Sequence, residues 1–79
     1  MIKDYNGLKQ YIKDNATIEF EEDGQVRYVG VHLTDSYDLV YDYFNDCITL
    51  DYMVDGYYIH STQVDESLLD AIITLGKMF

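Results

Sequence analysis

Seventy-nine residues, 48% of them hydrophobic and 15% aromatic, suffice for a single domain, 1–79, near the lower size at which one core folds without staples. The formal net charge of −10, from 15 acidic against 5 basic side chains, argues against direct binding of nucleic acid or of an anionic membrane, since both need clustered Lys and Arg. The single cysteine, Cys47, excludes an intramolecular disulfide, and no apolar run has the length of a membrane span.

The opening residues MIKDYNGLKQ contain no signal-peptide core, so the expectation is a soluble cytoplasmic protein. Ile2, Tyr5, Leu8, Tyr11 and Ile12 recur at helical spacing. With Asp4 as N-cap and Asn15 closing in a left-handed conformation, they predict a first helix over residues 4–14. Thr17 to Glu22 alternates polar and apolar, as a half-buried strand does. Asp23-Gly24 signals a type I′ hairpin turn, with a return strand from Gln25 to Leu33. A plain two-residue loop sets Phe20 opposite Arg27 and Ile18 opposite Val29. Ile18, Phe20, Val29, Val31 and Leu33 then share one face, and Glu19, Glu21, Val26, Tyr28 and His32 the other.

Residues 37–44 read either as a helix, with Asp35, Asp38, Asp42 and Asp46 along one side, or as a strand. Tyr, Val and Phe favour strands and Asp is poor in helix interiors, so the strand is preferred. Taking Asn45-Asp46 as a two-residue turn pairs Tyr43 with Ile48, Tyr41 with Leu50, Leu39 with Tyr52 and Tyr37 with Val54. Asp55-Gly56 as the next turn pairs Val54 with Tyr57 and Tyr52 with Ile59, and a continuous apolar face results. Thr62 then serves as N-cap of a last helix, with Asp65 three residues on. Its apolar stripe is Val64, Leu68, Ala71, Ile72, Leu75 and Phe79, broadened by Leu69 and Ile73, and Lys77 suits its C-terminal dipole. The predicted fold class is therefore α+β: a five-stranded antiparallel meander with an N-terminal and a C-terminal helix packed on one face.

From Tyr28 to Gly76 no Lys or Arg occurs, while Asp35, Asp38, Asp42, Asp46, Asp51, Asp55, Asp65, Glu66 and Asp70 do, interleaved with tyrosines. Like charges at this density repel, which a small domain tolerates more readily if the field steers a basic partner. The uncovered face of the predicted sheet carries Glu19, Glu21, Tyr28, Asp38, Val40, Asp42, Phe44, Thr49, Asp51, Met53, Tyr58 and His60. Asp51 is placed opposite Val40, diagonal to Asp38 and Asp42 at roughly 7–8 Å, a spacing of the order of successive phosphates along a nucleic-acid strand. Glu19, Glu21, Tyr28, Asp38, Asp42, Phe44, Asp51, Met53 and Tyr58 are the candidate partner-binding residues, the carboxylates imitating phosphates and the aromatic rings anchoring an interface. The plainer reading is that acidity serves solubility, or that this face is buried by homodimerisation.

Enzymatic chemistry finds no constellation. Cys47 has no basic neighbour in sequence to activate its thiol. Asp51 is expected opposite His60, with Ser61 on the other face, which makes a structural ion pair rather than a triad. Asp51 and Asp55 do not follow the calcium-loop pattern, and two histidines with one cysteine give no zinc spacing. The five glycines are scattered rather than gathered in a phosphate loop. No catalytic residue, metal or cofactor is expected.

By its size, its acidity and its mixture of carboxylates with aromatic side chains, the chain resembles the small inhibitors that phages make against host defence, such as anti-CRISPR proteins and uracil-DNA glycosylase inhibitors. The resemblance covers bulk properties of the whole chain and no sequence motif, so it assigns no residue a role. It implies a non-enzymatic inhibitor or nucleic-acid mimic that occupies the basic groove of a nucleic-acid-handling protein, in the host cytoplasm if phage-encoded. The alternative is a small structural or interaction domain with incidental acidity. Charge repulsion is expected to hold the chain as a monomer or a small homodimer.

Overall fold

The computed structural model describes residues 2–76. In chain order they form helix α1 (Tyr5–Asn15), strands β1 (Ile18–Glu22), β2 (Gln25–His32), β3 (Tyr37–Asp42), β4 (Cys47–Val54) and β5 (Tyr57–Gln63), a 3-10 turn (Glu66–Leu68) and helix α2 (Leu69–Gly76). The five strands make one antiparallel sheet in the order β1-β2-β3-β4-β5, so the fold is α+β. Residues 37–42 are strand, as β-propensity favours, and the helical alternative is excluded.

Helix α1 begins as expected: the Asp4 side chain accepts a hydrogen bond from the Gly7 N–H at 2.7 Å. It ends differently. Asn15 remains helical and its side-chain amide donates to the Tyr11 carbonyl, while Ala16 leaves the helix with extended backbone. At the other end of the chain Thr62 is no helix cap but a residue of β5 opposite Leu50. The cap is Asp65, whose carboxylate accepts from the Ser67 N–H. Val64, expected on the helix, instead extends the sheet by donating its N–H to the Ile48 carbonyl at 2.8 Å. The expected contributions of Lys77 and Phe79 lie outside the described residues.

Both Asp-Gly turns form, with positive φ at Asp23, Gly24, Asp55 and Gly56 as type I′ geometry demands. Each flanking hairpin nevertheless carries a β-bulge that a plain two-residue loop does not foresee. Arg27 is the extra residue of β2, so Phe20 pairs with Tyr28 and Ile18 with Gly30. Ile59 is the extra residue of β5, so Tyr52 pairs with His60 and Asp51 with Ser61. The reason is packing. Val26 and Val29 differ in strand parity, and the bulge at Arg27 lets both face the core; without the bulge at Ile59, Val64 would turn to the outer face instead of lying opposite Ile48. Val26 thus packs against the core and Val64 enters it at 2% exposure.

The central hairpin departs in another way. Its loop is Tyr43–Asp46, so Tyr41 pairs with Ile48, Leu39 with Leu50 and Tyr37 with Tyr52. This slip of two residues keeps every side chain on its expected face, because strand parity is unchanged. The inner face contributes Val29, Val31, Leu39, Tyr41 and Ile48 to a buried cluster with Leu8 and Ile12 of α1, Val64, and Leu69, Ile72 and Ile73 of α2. Ala71 and Leu75, placed on the apolar stripe by helical spacing, are exposed. Leu39 and Ile48 are wholly buried at the centre of the sheet, where burying one such side chain contributes about 1.5–3 kcal/mol.

Candidate partner-binding face

The outer face is built in rows across the strands. One row runs Phe20, Tyr28, Asp42 and Cys47; the next runs Ile18, Gly30, Val40, Thr49 and Gln63. Then come His32, Asp38, Asp51 and Ser61, and beyond them Met53 beside Tyr58. Gly30 lets the second row close up: a Cβ there would lie 2.9 Å from the Leu39 carbonyl oxygen and 3.1 Å from a Val40 methyl. Tyr28, Asp38, Met53 and Tyr58 therefore occupy the face expected of them.

Glu19 and Glu21 do not. The bulge at Arg27 sends them to the inner side of the β1 edge, where they are exposed and separated from Tyr28. His60 moves likewise to the inner side, its ring 5.5 Å from that of Tyr52. Phe44 lies in the loop after β3 rather than in a strand, with the Arg27 guanidinium 4.9 Å from its ring and 5.0 Å from that of Tyr28. Arg27 also donates to Glu22 at 2.7 Å. Phe20, Tyr28, Arg27 and Phe44 thus form one stacked cluster at the β1 end of the face.

The supposed phosphate row is dismantled. Asp42 is only 7% exposed and its carboxylate accepts from the Phe44 N–H, the Asn45 N–H and the Asn45 side-chain amide. Burial pushes this carboxyl up, but those donors and the Arg27 charge outweigh it and hold it below its ordinary value. Asp42 therefore shapes the loop, its carboxylate already engaged by local donors. Asp51 sits directly opposite Asp38 instead of diagonally between two carboxylates. Burial raises the Asp51 carboxyl, the Thr49 hydroxyl donated to it at 2.9 Å opposes this, and the Asp38 charge adds to the rise. Asp38 in turn meets His32 Nδ1 at 2.6 Å.

This row contains Asp, His and Ser, yet it assembles no triad. Ser61 lies opposite Asp51 on β5 while His32 lies on β2, roughly 14 Å away at ordinary strand spacing. Ser61 instead accepts a hydrogen bond from the Tyr58 hydroxyl at 3.2 Å. The Cys47 thiol is raised by burial and by the charges of Asp42 and Asp46, the opposite of activation. Among the described residues no cluster of three His, Cys, Asp or Glu side chains could hold a metal ion, no pocket is present, and no helix is long and apolar enough to cross a membrane.

Among the described residues Lys9, Lys13 and Arg27 are engaged within the structure, while Lys3 is exposed. Lys9 donates to Asp46 at 2.7 Å, and Asp46 also accepts from the Tyr41 hydroxyl at 2.6 Å. Lys13 lies 4.8 Å from the Tyr41 ring and 5.3 Å from that of Tyr43. Glu19, Glu21, Asp23, Asp35, Asp55, Glu66 and Asp70, by contrast, are exposed.

Sequence reasoning placed His32 on this face but missed Arg27 and Ser61 as members of it, and it missed β5 as an exposed strand. The parity conflict of Val26 with Val29 was the available signal for the first bulge. No family model matches the chain, and comparisons with curated proteins and with solved structures find no match.

Proposed function

We propose that the chain is a non-enzymatic acidic binding protein that docks on the basic surface of a nucleic-acid-handling protein and competes there with nucleic acid. One observation carries this reading: the cations at Lys9, Lys13 and Arg27 are occupied by internal carboxylates and aromatic rings, while most carboxylates point to solvent. The field outside the molecule is therefore negative, and it steers basic partners. In this reading α1 and α2 both cover the inner face and leave the outer face, with its Phe20–Tyr28–Phe44 cluster, to the partner. An inhibitor of the kind phages use against host defence fits that description.

The mimicry belongs to exposed carboxylates such as Asp35 and Asp55, since Asp42 is occupied in its loop and Glu19 and Glu21 lie on the inner side of the β1 edge. The test is displacement of a labelled oligonucleotide from basic nucleic-acid-binding proteins, measured at several salt concentrations. Competition that weakens steeply with salt, and is lost when Asp35 and Asp55 are replaced by Lys, is the expected result. Absence of competition across such a panel at low salt rejects the reading. The alternative, a structural domain that associates with itself, is favoured by the exposed rings of β5.

A further inference from the structure

We propose that the open edge of β5 receives an extended, basic segment of the partner as an added antiparallel or parallel strand. This deepens the basic-partner reading above and rests on it. The backbone supplies the first argument. Val64 N–H donates to the Ile48 carbonyl, and antiparallel ladders alternate, so His60 and Thr62 bond to β4. Ser61 and Gln63 consequently turn their N–H and C=O groups to the free edge, as does Tyr58 on the far side of the bulge.

Side chains supply the second argument. Every residue of β5 is exposed, with Tyr57 at 75%, Tyr58 at 55% and Ile59 at 54% exposure, and none carries a carboxylate, Lys or Arg. Such an edge offers apolar and aromatic area to cover once a strand has docked. The opposite edge, β1, is shorter and bears Glu19, Glu21 and Glu22, the charged guard that edge strands ordinarily have.

Charge selects the occupant. Around β5 stand Asp51, Asp55, Asp65 and Glu66, and no Lys or Arg occurs between Tyr28 and Gly76. An incoming strand with Lys or Arg on alternate positions turns them to the outer face, where they meet Asp51 and stack on the Tyr58 ring. A second copy of this chain would bring the same carboxylates against each other on molecules already at −10. The bulge at Ile59 interrupts the edge, which leaves a template for one short strand rather than for open-ended stacking.

A peptide of alternating lysine and valine, matched in length to β5, tests this on the whole protein. Amide hydrogen exchange should show new protection at Ser61 and Gln63. N-methylation of the peptide on one edge should weaken binding by about tenfold or more, because it removes the strand's donors while keeping its charge. Ser61→Pro removes an outward N–H that no ladder bond uses and should weaken binding similarly, while Glu19→Gln with Glu21→Gln should not. Equal binding by the N-methylated peptide, or protection confined to β1, overturns the strand-addition proposal and leaves the basic-partner reading standing. Absence of any peptide binding at low salt overturns both. Protection of Ser61 and Gln63 that rises with protein concentration alone would make a second copy the occupant and overturn the proposal.

Discussion

The two edges of the sheet are opposite solutions to one problem. Both β1 and β5 leave a row of backbone groups without a neighbouring strand. On β1 three glutamates crowd five residues, and Phe20 turns its ring toward Tyr28. On β5 seven residues carry no formal charge, and three large side chains stand in solvent. An acidic protein could have guarded both edges with carboxylates at no cost to its composition. That it guards only one shows that overall charge does not determine how a surface behaves; the placement of charge along each strand does.

The largest expected effect concerns what the two edges share. Ile48→Ala on β4 should destabilise the domain by about 2–5 kcal/mol in urea titration, enough to leave so small a fold largely unfolded. Amides of β1 and β5 should lose exchange protection together. If one edge kept its protection, the sheet would not be a single cooperative unit and the two edges would have to be treated as separate modules.

Next comes the acid that belongs to neither edge. Asp42→Ala strips the exposed loop Tyr43–Asp46 of the acceptor for its Phe44 and Asn45 donors and should cost about 1 kcal/mol. A loss below about 0.5 kcal/mol would mean that the loop does not depend on this carboxylate. The Tyr41 hydroxyl is pushed up to about 12, first by burial and then by its hydrogen bond to Asp46. Its folded value lies above the unfolded one, so its contribution is complete below pH about 10 and is lost as pH rises toward 12. Alkaline unfolding followed by circular dichroism should show this loss, and Tyr41→Phe should remove that part of the pH dependence. Asp46 has the opposite sign: Lys9 and then Tyr41 hold its carboxyl below the ordinary range, so its contribution is lost as pH falls through that lowered value.

Smaller effects separate the edges themselves. Asp51→Asn, beside β5, should raise stability by about 0.5–1 kcal/mol, because it removes a charge that is half-buried and that also faces the Asp38 carboxylate. The raised Asp51 carboxyl opposes folding above its ordinary range, and this opposition fades as pH falls through its folded value, so the gain should shrink in acid. Glu19→Gln and Glu21→Gln on β1 should alter stability by less than about 0.5 kcal/mol while increasing the tendency to associate at high protein concentration. Sedimentation of the double variant checks this: unchanged association would mean that these glutamates do not guard the edge.

The identity and order of the elements were legible in the chain itself, because local chemistry decides them. Asp4 caps α1, the Asp-Gly pairs make type I′ turns, and period-two alternation marks the strands. The faces of β3 and β4 were legible too, since a register slip of two residues preserves parity. The flanking strands were not. A plain hairpin and a bulged one alternate equally well in sequence, and only burial of Val26 beside Val29, and of Val64 opposite Ile48, decides that Arg27 and Ile59 are the extra residues. The loop Tyr43–Asp46 was equally hidden. Asp42 holds it from within, while Asp46 is tied to Lys9 of α1 and to the Tyr41 hydroxyl. Tertiary contacts such as these turned three equivalent-looking aspartates, Asp38, Asp42 and Asp51, into a histidine partner, a loop anchor and a half-buried acid, because each environment weighs burial, donors and neighbouring charge differently.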